Sequence, residues 1–114
     1  MVAFIPDLLF GSNVLGALRA AGHDVVLASD AEAVGRELPG AQVLIVDLTA
    51  DAGRRIEHLQ AVPGPGVKTL AFYSHVETEV RAQAEQAGFD LVIPRSRMAR
   101  EGAALVARLV ESAS

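Results

Sequence analysis

The sequence predicts one α/β domain, a doubly wound parallel sheet with helices on both faces, and three observations predict it. Short apolar runs alternate with stretches of helical spacing along the whole of the 114 residues. The runs themselves show no apolar-polar alternation, the mark of strands covered on both faces as in parallel sheets. Finally, 51% of residues are hydrophobic and 21% charged, with no apolar run near the roughly 18 residues that a membrane span needs. One soluble domain of this size closes a core without staples.

Val2-Ala3-Phe4-Ile5 reads as the first strand. Phe10, Val14, Ala17, Leu18 and Ala21 then share one face of a first helix, which Gly22 can end. Val25-Val26-Leu27 is the second strand, followed by a helix with Ala31, Val34 and Leu38 inward, a capping box of Ser29 and Glu32 at its start, and Pro39-Gly40 at its stop. Val43-Leu44-Ile45-Val46 is the third strand; Ile56, Leu59 and Val62 mark a third helix that must end before Pro63-Gly64-Pro65-Gly66. Thr69-Leu70-Ala71-Phe72 is the fourth strand, with Val76, Val80, Ala84 and Ala87 on the helix after it and Gly88 closing that helix. Leu91-Val92-Ile93 is the fifth strand, and Met98, Leu105, Val106, Leu109 and Val110 define the last helix.

Strands alternating with helices pair in parallel through right-handed crossovers. About five such units in this length match a single flavodoxin-like domain over residues 1–114, a five-stranded sheet in the order 2-1-3-4-5 with about five helices, rather than a larger Rossmann sheet or a barrel. No linker or low-complexity segment divides it.

Composition excludes several function classes. The absence of cysteine removes disulfides and thiolate metal sites. Ten basic against fourteen acidic residues, a net charge of −4, argue against a nucleic-acid footprint. The start MVAFIPDLLF lacks a basic region and a small-residue cleavage site, so the cytoplasm is the expected location, with no membrane partner. Gly11-Ser12-Asn13 fits no phosphate-cradling glycine pattern.

Open parallel sheets bind ligands beyond the carboxyl ends of their strands. The polar residues there are Asp7, Ser29 and Asp30, Asp47 and Thr49, Ser74 and His75, and Arg95, Ser96 and Arg97. Around them the chain resembles the receiver domain of two-component response regulators. AAGHDVVLASDAEAV resembles the receiver's first-helix end, second strand and second helix, and VLIVDL its phosphoacceptor strand. AFYSHV and QAGFDLVIPRS resemble the fourth strand with its terminal hydroxyl residue and the stretch that leads to the receiver's Lys-Pro pair. The resemblance implies that Asp47 is the phosphoacceptor candidate, that Ser74 contacts the phosphoryl group, and that the Thr49 carbonyl completes a magnesium site.

Two departures mark a degenerate member, a pseudo-receiver. Where a receiver carries two adjacent acids after the first strand, an ungapped match places Ile5 and Pro6, with Asp7 one step later. The receiver's lysine falls on Pro94 with Arg95 next, and a guanidinium fork does not simply replace a compact ammonium. Phosphoryl transfer to a carboxylate brings anions together, so it needs a hard cation held by oxygens and a fixed positive side chain. Asp7, Asp47 and Thr49 are the candidate magnesium ligands, a weak set, and Arg95 is the second candidate for phosphoryl contact.

Each of these residues has a structural alternative. Asp47 can bond the loop amides after its strand; Asp7 can cap the first helix; Ser74 with Glu77 makes a capping box for the fourth. His75 reads as a loop residue, since no nucleophile with a supporting acid lies near; His23 and His58 read as solvated. With few compensating cations near Asp47, Asp47→Asn is expected to leave stability unchanged or raise it.

The functional expectation is a stand-alone signalling or protein-interaction module, phosphorylation-independent, with no enzyme activity of its own and no cofactor beyond weak magnesium. The alternatives are a conventional receiver phosphorylated on Asp47 by a histidine kinase, and a flavodoxin-like small-ligand-binding domain or enzyme using the cleft at the strand ends. The expected contact is a homodimer through the fourth helix, fifth strand and fifth helix. Arg81, Arg95, Arg97 and Arg100 would face Glu77, Glu79, Glu85 and Asp90 there, and the small residues Ala82, Ala84 and Ala87 would permit close approach.

Overall fold

A computed structural model describes residues 1–59, 66–74 and 76–113. The elements run β1 (Val2–Phe4), α1 (Leu8–Ala20), β2 (Val26–Ala28), α2 (Ala31–Glu37), β3 (Val43–Asp47), α3 (Ala52–Leu59), β4 (Lys68–Tyr73), α4 (Thr78–Gln86), β5 (Leu91–Pro94) and α5 (Arg95–Ala113). The strands form one parallel sheet in the order β2-β1-β3-β4-β5, as the sequence predicts.

Side chains alternate across the pleat, and each face of the sheet has its own core. Val2, Phe4, Leu44, Val46, Ala71 and Tyr73 point to the side covered by α2, α3 and α4, where they meet Val34, Ile56 and Val80. Ala3, Val43, Ile45, Leu70, Phe72 and Ile93 point to the side covered by α1 and α5, against Val14, Leu18, Leu105 and Val106. β3 is central, buried at all five positions. Its register sets the site: Asp47 lies beside Phe72, and Phe72 beside Ile93, so the polar residues that follow these strands emerge at one rim.

Several local expectations are corrected. β2 is an edge strand, and Val26 is 43% exposed rather than buried on both faces. On α1 the inward face is Phe10, Gly11, Val14 and Leu18, while Ala17 and Ala21 are exposed. Gly11 lets α1 approach β1 closely, since a Cβ there would sit a tight 3.2 Å from the Ile5 carbonyl oxygen. The cap of α2 is Asp30, whose Oδ1 accepts from the Ala33 N–H at 2.7 Å, not Ser29. Asp30 wins because it stands one residue before the first helical position, where a short side chain reaches the third amide.

Val76 is 73% exposed and precedes α4 instead of lying on it. Ala84 is fully buried in the chain's own core and Ala87 packs against that core, so they offer no stripe to a partner. The predicted parts of Val62, Pro63-Gly64-Pro65 and His75 lie outside the described residues. Among the described residues no helix is long and apolar enough to cross a membrane.

Candidate functional site

At the end of β3 the chain turns sharply, and the turn is built around Asp47. The Leu48 N–H extends the ladder by donating to the Phe72 carbonyl at 2.8 Å. The Thr49 N–H then donates to Asp47 Oδ1 at 2.8 Å and the Thr49 hydroxyl donates to the same oxygen, a side-chain turn of the kind aspartate favours. Asp51 follows at φ 50°, left-handed backbone that aspartate tolerates better than most residues, and its carbonyl accepts from the Arg55 N–H at 2.9 Å in the first turn of α3.

That turn aims Arg55 back at the strand. Its Nη1 donates to the Asp47 carbonyl at 2.7 Å and stands 3.9 Å from Asp47 Oδ2, while the guanidinium carbon lies 5.4 Å from the centre of the Phe4 ring. The two side chains are 15% and 6% exposed. The Asp47 carboxylate thus has two donors and a nearby cation within its own chain, which corrects the expectation of a poorly compensated anion. Thr49 turns its amide and hydroxyl to the aspartate.

Asp7 lies under a different arginine. Its Oδ1 accepts from the Phe10 N–H at 3.0 Å, so it caps α1, the structural alternative read from its position. Arg95 Nη2 is 3.9 Å from Asp7 Oδ2, and the guanidinium stacks 4.2 Å above the Phe10 ring. Both side chains are about half exposed, so water and salt weaken the pair. Ser74 lines a shallow hollow of about 300 Å3 with Phe10, Arg95 and Ser96. The expected capping box of Ser74 and Glu77 does not form: the Glu77 N–H donates to the Ser74 carbonyl at 2.8 Å, and α4 has no side-chain cap.

The structure therefore groups Asp47 with Thr49 and Arg55, and Arg95 with Asp7 and Phe10 on one hand and with Ser74 around the hollow on the other. Among the described residues no group of three or more His, Cys, Asp and Glu is placed to hold a metal. Of the other arginines, Arg81 bonds Glu85 at 2.8 Å and Arg97 bonds Glu101 at 3.2 Å, each within its own helix. The Glu85 hydrogen bond raises the Arg81 pKa further above its ordinary value, so this cation stays charged. Asp90 is used away from the rim: Oδ2 accepts from the Thr69 N–H at 2.8 Å and from the Thr69 hydroxyl at 3.2 Å. Its own N–H donates to the Thr69 hydroxyl at 3.0 Å, which clasps the start of β4 to the start of β5. Gly11-Ser12-Asn13 lies within α1, not in a loop.

No family model and no curated protein matches the chain. Solved structures do. A response regulator from Thermotoga maritima superposes with a TM-score of 0.81 at 14% identity, covering 96% of this chain and 95% of that one. NtrX from Brucella abortus, crystallised in complex with ADP, superposes at 0.80 with 16% identity over 98% of this chain, which spans only 27% of that one. A pilus assembly protein, CpaE from Caulobacter crescentus, superposes at 0.63 with 15% identity, covering 91% of this chain and 96% of that one. The chain has the receiver fold of response regulators; at these identities the likeness is one of fold.

Proposed function

We propose that the protein is a pseudo-receiver, a signalling module that works by protein contact without phosphoryl turnover of its own and resides in the cytoplasm. The observation that carries this reading is the engagement of Asp47 by Thr49 and Arg55. An attacking carboxylate needs a free oxygen and a cation shared with the incoming phosphoryl group. Here Oδ1 accepts two hydrogen bonds, and the cation nearest Oδ2, at 3.9 Å, is an arginine of the chain itself rather than a metal ion held by an acidic pair, whose two positions fall on Ile5 and Pro6 in the ungapped match.

Magnesium fits this donor set poorly. The ion demands near-octahedral oxygen ligands, yet Asp7 is committed to capping α1 and to Arg95, and Arg55 places positive charge beside Asp47. Calorimetric titration is expected to show no magnesium binding tighter than millimolar. Sub-millimolar affinity abolished by Asp47→Asn would replace this reading with a conventional receiver phosphorylated by a histidine kinase.

The partner proposed is another protein, docking on the face made by α4, β5 and α5, with a second copy of the chain as the first candidate. Arg81 and Arg97 already hold Glu85 and Glu101. A two-fold contact there must exchange these pairs for equivalent ones across the interface, so its affinity is modest and sensitive to salt.

A further inference from the structure

Arg81, Arg95 and Arg97 are engaged within the chain, by Glu85, by Asp7 with Phe10, and by Glu101. Arg100 has no ion pair among the described residues, and it lines a cavity of about 230 Å3 between α1 and α5. Phe10 and Val14 of α1 and Met98 and Ala103 of α5 supply apolar walls; Asn13 and Arg100 supply the polar groups. Gly102 borders the cavity beside Met98. A Cβ at Gly102 would sit 2.9 Å from Met98 Cε and 3.0 Å from its sulfur, so the bare backbone lets the thioether lie along α5.

We propose that this cavity binds a small amphipathic carboxylate, its ring or short chain against Phe10, Val14 and Met98 and its charged end at Arg100 and Asn13. Volume and chemistry both support that class. An apolar cavity on the order of 150 Å3 is enough to hold benzene, so the space between α1 and α5 takes a substituted ring or a short chain. Ligand sites pair apolar walls with a few polar groups that fix orientation, and the guanidinium fork matches a carboxylate with two parallel hydrogen bonds. A neutral hydrocarbon would leave Arg100 unused; a dianion would bring a second charge against apolar walls.

The test uses benzoate as the probe and toluene as its uncharged counterpart, titrated into the full chain while methyl resonances of Val14, Met98 and Ala103 are followed by NMR. Benzoate is expected to give saturable shifts at these methyls with a dissociation constant on the order of 1 mM. Arg100→Ala, an exposed change that leaves the fold intact, should weaken benzoate about fivefold and leave toluene unchanged. Ala103→Phe, which fills the space, should abolish both. The proposal is overturned by shifts that do not saturate, by benzoate affinity indifferent to Arg100→Ala, or by the same methyls shifting with protein concentration alone, which would place a second copy in the groove.

Discussion

Asp47 is a buried carboxylate satisfied by its own neighbours, and that determines how substitutions at the rim behave. Thr49 and Arg55 both act on it, the first through two hydrogen bonds and the second through charge and a bond to its carbonyl. Hydrogen bonds to charged groups are worth about 1.5–3 kcal/mol, so Asp47→Ala is expected to cost about that much in urea unfolding. Asp47→Asn should cost less, because an amide oxygen still accepts from Thr49, but it should not stabilise, contrary to what the sequence suggests. A double-mutant cycle of Asp47→Asn with Arg55→Ala should show favourable coupling of about 0.5 kcal/mol or more; additivity would deny Arg55 its role. Asp47 and Thr49 were legible from their place after a buried strand. Arg55 was not, because Arg54 and Arg55 read alike on an amphipathic helix. Which of them turns inward depends on the phase of α3, and that is set by the left-handed turn at Asp51.

At the scale of elements, the caps and clasps give the sharpest expectations. Asp30→Ala should destabilise by about 1 kcal/mol through loss of the α2 cap, whereas Ser29→Ala should stay within about 0.5 kcal/mol; thermal unfolding of the two variants compares them directly. The reverse order would restore Ser29 as the cap. Asp90→Ala removes the acceptor for Thr69 and should cost about 1–3 kcal/mol, although Asp90 reads from the sequence as one more surface charge. The five strands and five helices were recoverable from periodicity because burial writes an apolar pattern into each one. Caps were not, because adjacent residues such as Ser29 and Asp30 both suit the position and only the backbone angle decides. Two-sided burial was over-read for β2, since an edge strand carries the same residue types as an inner one.

For the whole molecule, the 2-1-3-4-5 sheet brings several carboxylates to one rim and sets an arginine beside two of them, Arg55 by Asp47 and Arg95 by Asp7. Among the described residues these pairings leave no cluster of acids at the rim of the kind that holds a divalent ion. The order of strands followed from length and alternation; the pairing of the rim charges did not, since it depends on helices meeting across the sheet. Sedimentation equilibrium at low and high salt is expected to show a weak dimer that dissociates as salt rises and is lost in the Arg81→Glu, Arg97→Glu double variant. A monomer at high micromolar concentration in both conditions would remove the dimer but not the pseudo-receiver. The most direct measurement is the intact mass of the protein after incubation with magnesium and a small-molecule phosphodonor such as acetyl phosphate. No phosphoryl adduct is expected in the wild type; a stoichiometric adduct that disappears in Asp47→Asn would make the protein a conventional receiver.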